Sequence, residues 1–425
     1  MIDLSADAVT RVVLDLVDES IREGRGRSLR SEPGFDASEP GSFSLGDEGA
    51  GLDSLEMLTA AGRVNEFFHL HETGVEDMLL RKHELHEWAE IVRTALGEGV
   101  SGVTFYSSGT AGRPKRITHS WASLEQEIDF LSDVFAGRRR VISTVPAHHI
   151  YGFLFTVVLP EHMGVPVASF SWEELGALSG RVGPGDLVVS HPTLWRYLSR
   201  SAGHWPGGVW GTSSTAPLPA DIHRALTAGG LERVWEIYGS TETAGVGLRY
   251  QPDAPFELFP YLSVADPGAA ADPGAAILDR ALSDGTHRTE ELRDRLEWVD
   301  GRHFLPRGRL DRVVQVGGEN VSLEHVEDVL GNIPGVEQAI VRTTEVDGEP
   351  RLKAFLVTGA APAAASGSQP PPGAQPPSAA QPPSREAVEG YARENLRAVE
   401  RPVSVTFGEA LPRNAMGKIT DWESA

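Results

Sequence analysis

Residues 104–115 read TFYSSGTAGRPK and hold the most informative motif of the chain. The apolar run 103–106 predicts a short buried strand that leads into a loop of serine, threonine and glycine closed by Pro114 and Lys115. Such a loop exposes several backbone N–H groups, adds hydroxyl donors and ends on an ammonium group, which is the chemistry needed to bind a phosphate chain. It is not the P-loop of the common nucleotide triphosphatases, because Arg116 stands where that motif requires serine or threonine. Taken alone, the stretch is also compatible with a flexible surface turn.

The overall composition excludes several classes of protein. The chain has 425 residues, enough for two or three domains, and contains no cysteine, which excludes disulfides, cysteine-based metal sites and a cysteine nucleophile. Its 38 basic and 60 acidic side chains give a net charge of −22, which argues against binding to nucleic acid or to anionic membranes. No apolar run approaches the roughly 18 residues that span a bilayer, and the N-terminus lacks a signal-peptide pattern. The sequence therefore predicts a cytoplasmic protein without a membrane span.

Lysine is rare in this chain and marks positions of interest. Of the 38 basic residues only four are lysines, namely Lys82, Lys115, Lys353 and Lys418. A compact ammonium and a planar guanidinium serve different purposes, so a lysine retained against this bias indicates a need for the ammonium group.

Residues 1–97 predict an acidic helical unit. Residues 1–98 carry 9 basic and 21 acidic side chains, a net charge of −12. A helical spacing of apolar residues over 8–22, a long polar loop, and the sequence Asp-Ser-Leu at the start of a second helix resemble an acyl carrier protein. The resemblance implies that Ser54 carries a phosphopantetheine arm and that basic partner enzymes dock on the helix. The alternative is that Ser54 only caps the helix.

The rest of the chain predicts two further domains. Residues 98–310 alternate short apolar strands with helical or loop segments, which is typical of an α/β domain, and residues 311–425 predict an α+β domain. Residues 359–384 are uncharged and rich in proline, alanine, glutamine and serine, a composition typical of a disordered or extended segment. Because too few residues follow to fold alone, we interpret 359–384 as an insertion within the C-terminal domain.

Three more stretches carry candidate catalytic or binding side chains. The strand at 234–238 ends in Gly-Ser-Thr-Glu, which offers hydroxyls and the Glu242 carboxylate, a set that suits Mg²⁺ bridging phosphates. His149 and Tyr151 precede an apolar run, where a histidine is as easily a buried core residue as a ligand. Lys418 follows a glycine near the C-terminus.

Four separated stretches together resemble the adenylate-forming superfamily, which includes acyl-CoA synthetases, aryl-CoA ligases, peptide-synthetase adenylation domains and luciferases. They are residues 106–115, 238–242, 308–311 and 412–419, which occur in the family's order and close to its spacing. The resemblance implies an α/β fold with a large N-terminal domain, a small mobile α+β C-terminal domain and, in this chain, a preceding helical carrier-like unit. The large domain is abridged here, because family members carry a longer segment before the phosphate loop.

The resemblance also implies a reaction. A carboxylate attacks the α-phosphate of Mg·ATP to give an acyl-adenylate and pyrophosphate, and the phosphopantetheine thiol of CoA or of an acyl carrier protein then displaces AMP. Because the attacking carboxylate and the α-phosphate are both negatively charged, positioned cations and hydrogen-bond donors must supply most of the catalysis.

The site residues that the resemblance implies fall into four groups. The catalytic residues are Lys418, Glu242, Thr241 and Lys115, with Glu242 as the Mg²⁺ ligand. The nucleotide-binding residues are Ser107, Ser108, Gly109, Thr110, Gly112, Thr215, Ala216, Tyr238, Gly239, Asp294 and Arg309. Asp311 is the hinge about which the C-terminal domain rotates. His149 and Tyr151 line the pocket of a small carboxylic acid, either aromatic or fatty.

Departures from the family pattern leave alternatives open. Ala111 stands where the phosphate loop normally has a second hydroxyl. The ribose-binding carboxylate is assigned to Asp294 by counting back from Asp300, with Glu291 as the rival. The leading hypothesis is an ATP-dependent acid–thiol ligase, and the alternative is a non-catalytic scaffold that binds carrier proteins or biosynthetic partners.

Overall fold

The computed structural model describes residues 3–107, 115–170, 172–201, 204–265, 276–282, 285–309, 312–358, 383–412 and 421–422. The chain divides into two compact units. The first consists of Met1–Ser107 with Lys115–Gly308, and the second of Ser108–Pro114 with Arg309–Ala425.

The N-terminal part of the first unit is helical, as predicted. Its helices are α1 (Ala6–Arg25), α2 (Ser54–Phe68) and α3 (Leu85–Glu98), with a 3-10 helix at Glu76–Arg81. Helix α1 begins at Ser5, whose hydroxyl accepts the Ala8 N–H, and ends at Gly26 in the left-handed conformation. The cap of α2 is Asp53 rather than Ser54, because the Asp53 carboxylate accepts the N–H groups of Leu55 and Glu56.

These helices share one core with the α/β part of the unit. Phe67 of α2, Phe105 of the predicted phosphate strand and Phe153 meet edge to face, with ring centroids 5.2 Å, 5.5 Å and 5.6 Å apart. All three rings are almost fully buried, so the helices contribute to the stability of the unit through packed aromatic area. The resemblance of this segment to a free carrier protein is not confirmed.

The stretch 104–115 begins within the first strand of a hairpin. Strands β1 (Gly102–Ser107) and β2 (Lys115–Ser120) are antiparallel, with Ser107 opposite Lys115, so the strand predicted at 103–106 is confirmed. The tip, 108–114, lies outside the described residues, and so do the predictions made for Ser108, Gly109, Thr110 and Gly112.

A nine-stranded sheet forms the centre of the first unit, in the order β13-β14-β9-β8-β7-β6-β5-β3-β4. Strands β4, β3, β5, β6 and β7 are parallel, and β8, β9 and β14 pair antiparallel. The strands are β3 (Arg140–Ser143), β4 (Val167–Ser169), β5 (Asp186–Ser190), β6 (Trp210–Ser213), β7 (Arg233–Ser240), β8 (Ala244–Arg249), β9 (Phe256–Leu258), β13 (Asp294–Trp298) and β14 (His303–Arg309).

Helix α4 (Trp121–Val134) follows the β1–β2 hairpin, and the later helices of this unit follow parallel strands, as expected for βαβ connections. The later helices are α5 (Ile150–Phe153), α6 (Leu159–Met163), α7 (Leu178–Arg181), α8 (Pro192–Ser201) and α9 (Ala220–Ala228). A π-helical segment at Leu154–Val158 joins α5 to α6. A separate three-stranded sheet consists of β10 (Leu262–Val264), β11 (Ile277–Ala281) and β12 (His287–Glu291).

The second unit has the predicted α+β pattern. It contains β15 (Val313–Val316), β16 (Glu319–Ser322), α10 (Leu323–Gly331), β17 (Val336–Val346), β18 (Glu349–Thr358), α11 (Arg385–Asn395) and β19 (Ser404–Gly408). Strands β18 and β19 pair in parallel, so the chain on both sides of 359–384 belongs to one sheet, as an insertion within a domain requires. Among the described residues, no helix has the length and apolar character needed to cross a membrane.

Candidate active site

The parallel strands bring the predicted site segments to one edge of the large sheet. The segment with His149 follows β3, Ser214–Ala216 follow β6, and Thr241–Glu242 follow β7. In open α/β sheets, ligands bind outside the carboxyl ends of the strands. The topology therefore gathers segments that are far apart in sequence at the position where this class of fold binds its ligands.

The loop after β7 presents Thr241 and Glu242. Ser240 and Thr243 close it reciprocally, since the Ser240 N–H donates to the Thr243 hydroxyl (3.3 Å) and the Thr243 N–H donates to the Ser240 hydroxyl (3.2 Å). Thr243 is buried, whereas Thr241 and Glu242 are half-exposed at the tip. Ala244, with φ of 55°, then turns the chain into β8.

A buried polar group beneath the loop fixes its backbone. His119 of β2 lies 2.7 Å from the Thr241 carbonyl oxygen through Nε2, which must carry the proton because a carbonyl only accepts. Burial lowers the pKa of His119 to about 4, so the ring is neutral near pH 7. Arg280 donates to the Thr243 carbonyl (2.8 Å) and to the Glu290 carboxylate (3.2 Å). Sequence reasoning missed these residues, because nothing local in the sequence indicates their partners.

Glu127 of α4 is fully buried behind the same loop. The Gly245 N–H donates to both of its carboxylate oxygens, at 3.0 and 3.1 Å. Burial raises the pKa of Glu127 to about 7, although Arg280 nearby and the Gly245 N–H oppose the shift. A side chain at Gly245 would collide with Glu127, since a Cβ there would lie 2.4 Å from Oε1. The close approach therefore requires glycine.

The substitution Glu127→Gln is expected to stabilise the protein above pH 7. Between pH 4.5 and about 7, folded Glu127 keeps a proton that the unfolded chain has lost, so the wild-type free energy of unfolding falls by roughly 3 kcal/mol as pH rises. Glutamine carries no charge to bury and its amide oxygen still accepts from Gly245. Urea unfolding from pH 4 to pH 8.5 should show a variant advantage that grows through this window and then levels off. An advantage that does not depend on pH would contradict the raised pKa.

Tyr238 and Asp294 are in direct contact. The Tyr238 hydroxyl donates to Oδ2 of Asp294, and the Tyr238 ring packs on Phe256 and Phe304 at centroid distances of 5.6 and 5.2 Å. The rival carboxylate, Glu291, is exposed at the end of β12. The structure thus brings together Tyr238 and Asp294, two residues that the sequence predicts at the nucleotide.

The segment after β6 has a strained backbone. Thr215 has φ of 75°, a left-handed conformation that β-branched residues rarely adopt, and it is exposed, with half-buried Ala216 next to it. The Ser214 hydroxyl donates to the Ile237 carbonyl of β7 at 2.9 Å, which attaches the segment to the Tyr238 strand. Strain of this kind is concentrated at ligand sites. The role of Thr215 and Ala216 at the nucleotide stays a prediction.

Lys115 is half-buried at the start of β2. Helix α2 contacts the base of this hairpin, since Glu66 accepts from the Tyr106 hydroxyl and forms an ion pair with Arg116. His69, at the end of α2, lies 2.7 Å from the Thr104 hydroxyl through Nε2. The N-terminal segment thus fixes the strands that carry the phosphate loop.

His149 and Tyr151 have different surroundings. The Tyr151 hydroxyl donates to the Ser190 carbonyl (3.1 Å) and accepts from the Thr212 hydroxyl (2.6 Å), so it is occupied by protein partners. His149 keeps solvent contact, while the atoms packed around it, followed by the ring of His148, lower its pKa. His149 is therefore neutral near pH 7 and is the member of the pair available to a substrate.

Glu19, His148 and His149 form a cluster whose potential ligand atoms lie within 4.8 Å of one another. The spacing is compatible with a divalent cation. However, the Arg63 guanidinium already donates to Glu19, the one carboxylate of the set, at 3.0 Å. The arrangement therefore favours an ion-paired positioning cluster over a metal centre.

Some of the other residues predicted at the site lie within the described structure, and some lie outside it. Ser54 is exposed on the first turn of α2. Gly239 lies at an irregularity in the β7–β8 pairing, where a Cβ would lie 2.1 Å from the Ala244 carbonyl oxygen. Asp311 and Lys418 lie outside the described residues, as do the side chains of Ser107 and Arg309.

The chain is similar to several known proteins. A model of the AMP-binding enzyme family matches residues 101–271. The 4-coumarate–CoA ligase of Halorhodospira halophila is 38% identical over 98% of this chain and 99% of its own, and that of Rhodobacter capsulatus is 35% identical over 98% and 100%. The solved structure of o-succinylbenzoate CoA synthetase from Bacillus subtilis is similar, with a TM-score of 0.60, 18% identity, and coverage of 81% of this chain and 72% of that one.

The fold and the site define a class of protein, the enzymes that join a carboxylic acid to a thiol with formation of AMP. The chain belongs to the AMP-binding enzyme family, as a CoA ligase of the acyl or aryl type. The predicted adenylate-forming fold is confirmed. Since the relative from Halorhodospira halophila matches nearly end to end, the short segment before the phosphate loop is not peculiar to this chain.

Proposed function

We propose that the protein activates an aromatic acid such as 4-coumarate with ATP and transfers the acyl group to CoA. The observation that carries the proposal is the edge of the large sheet, where the Thr241–Glu242 loop and His149 follow parallel strands and where Tyr238, within β7, contacts Asp294. Relatives named 4-coumarate–CoA ligase that match nearly the whole chain support the choice of acid.

In the first step, a carboxylate oxygen of the acid forms a bond to the α-phosphorus of ATP while the bond to pyrophosphate breaks. Lys115 and Lys418 supply positive charge, and Thr241 contacts the α-phosphate from its fixed loop. Glu242, one carboxylate beside hydroxyls, fits the ligand preference of Mg²⁺, which neutralises phosphate charge when bound. In the second step, the CoA sulfur attacks the acyl carbon and AMP leaves with the electron pair of the broken bond.

The acid lies against the segment after β3 in this proposal. His149 is neutral, so its ring can donate one hydrogen bond without adding a positive charge that would compete for the carboxylate. Buried Tyr151 supports the pocket from beneath through Ser190 and Thr212.

Acid-dependent exchange between ATP and labelled pyrophosphate tests the proposal. The panel is 4-coumarate, cinnamate, benzoate and straight-chain fatty acids, followed by chromatography of the CoA products. We expect the highest kcat/KM with the aryl acrylates and a thioester only when both ATP and CoA are present. A preference for fatty acids would contradict the aromatic assignment. Absence of both exchange and ATP binding would favour a non-catalytic scaffold.

CoA is the proposed acceptor rather than an arm on Ser54. The helix that carries Ser54 is built into the core of the first unit through Phe67, whereas a carrier domain must move its arm between sites. Intact mass after incubation with a phosphopantetheinyl transferase and CoA should be unchanged, and an increase of one arm mass would contradict this choice.

A further inference from the structure

Helix α1 places two carboxylates against the segment that carries His149. Asp15 and Glu19 lie one turn apart on the same face of the helix. The Ala147 N–H donates to Oδ2 of Asp15 at 2.6 Å, and Nε2 of His148 lies 3.5 Å from Oε1 of Glu19. The two contacts fall on the two residues immediately before His149.

Each carboxylate is fixed on its other side by an arginine. Arg30 forms an ion pair with Oδ1 of Asp15, and Arg63 of α2 donates to Oε2 of Glu19 at 3.0 Å. The Asp15 side chain is only 14% exposed, so its hydrogen bond to Ala147 is sheltered from water, where hydrogen bonds to a charged group are strongest. Asp15 therefore ties α1 to the segment after β3 by a hydrogen bond, and Glu19 adds a longer polar contact to His148.

The segment is also fixed from the opposite side, by the helix that follows it. Gly152 lies so close to the Pro146 carbonyl that a Cβ would be 1.8 Å from the oxygen, and the Phe153 N–H donates to the His149 carbonyl at 2.7 Å. With both sides fixed, residues 146–149 have one defined conformation.

We propose that Asp15 and Glu19 are positioning residues for acid binding, which set the place of His149 by holding Ala147 and His148. The inference rests on the proposed function, in which His149 faces the acid. It gives the N-terminal helices a role in substrate recognition as well as in packing. It implies that loss of either contact weakens binding of the acid and leaves binding of ATP largely unchanged, since ATP is assigned to segments that follow other strands.

Asp15→Asn and Glu19→Gln test the inference, with Asp18→Asn as the matched control. Asp18 is also a carboxylate of α1 that accepts a backbone N–H at 2.6 Å, but its donor is Leu29, which begins the 3-10 helix Leu29–Ser31 and does not belong to the segment after β3. We expect Asp15→Asn to raise the KM for the acid about tenfold and Glu19→Gln to raise it several-fold, with the KM for ATP within twofold of wild type. Asp18→Asn should lower stability without separating the two KM values. The inference is wrong if Asp15→Asn and Glu19→Gln are active and their KM values for the acid and for ATP change together. It is also wrong if neither KM value changes.

Hydrogen exchange gives a second readout that does not depend on activity. Peptides covering 144–150 should exchange about ten times faster in Asp15→Asn than in wild type, whereas Asp18→Asn should accelerate peptides near Leu29 instead. Unchanged exchange over 144–150 in Asp15→Asn overturns the inference even if no acid proves to be a substrate. If Asp15→Asn accelerates exchange over 144–150 but the wild-type protein adenylates no acid, only the proposed function fails.

Discussion

Lys418→Ala is expected to lower acid-dependent ATP–pyrophosphate exchange by roughly 10²–10³-fold, the usual cost of removing one positioned group that stabilises transition-state charge. The lysine supplies an ammonium in a chain that otherwise prefers arginine, and we place it at the phosphorus under attack. Formation of the thioester from synthetic acyl-adenylate and CoA should keep most of its rate, because no phosphorus is attacked in that step.

Close to the C-terminus, the structure describes Asp421 and Trp422. Both are held by buried Lys353, whose ammonium donates to the Asp421 carboxylate (3.0 Å) and to the Trp422 carbonyl (2.7 Å). The matched control is Lys82→Ala, which removes a lysine paired with Glu87 on the first unit and should leave exchange near wild type. Equal losses in both half-reactions of Lys418→Ala would show that its assigned role is wrong.

Glu242→Gln is expected to lower adenylation by roughly 10²-fold and to raise the Mg²⁺ concentration needed for half-maximal exchange. Glutamine keeps the size of the side chain and one oxygen but removes the negative charge that attracts the cation. Because reciprocal bonds between Ser240 and Thr243 close the loop without Glu242, the variant should fold normally. Circular dichroism and the unfolding midpoint check this.

The control for this variant is Glu257→Gln, which removes an exposed carboxylate from β9 of the same sheet. It should leave both the rate and the Mg²⁺ requirement near wild type. Titration of Mg·ATP by calorimetry separates binding from rate, and we expect weaker binding in Glu242→Gln only. If this variant keeps wild-type Mg²⁺ dependence, Glu242 is not the metal ligand.

Much of the fold was predictable because local patterns have local causes. The strand at 103–106, the helices beginning near residues 8 and 54, and the strands at 187–190 and 234–238 follow from apolar spacing and helix caps, which act within a few residues. The reaction class followed from the resemblance of four short stretches to the adenylate-forming superfamily.

Local patterns do not predict whether the N-terminal helices form a separate domain. The acidity of this segment and its Asp-Ser-Leu helix start are the same whether the helices form a free carrier or part of a larger core. The decision depends on Phe67 meeting Phe105 and Phe153, a contact that arises only when distant segments pack. Sequence spacing likewise left Asp294 and Glu291 as rivals, and the contact of Asp294 with Tyr238 favours the first.

Local sequence patterns thus predict most helices and strands, and the motifs point to an adenylate-forming family. The groups that fix the site segments become visible only once the chain has folded. Asp15 accepts a hydrogen bond from the Ala147 N–H, although the two residues are 132 positions apart in sequence. His119 donates to the Thr241 carbonyl, from which it is separated by 122 positions. The physical reason is that a hydrogen bond depends on position in space, and a carboxylate or imidazole carries no local mark of a partner brought to it by strands far along the chain.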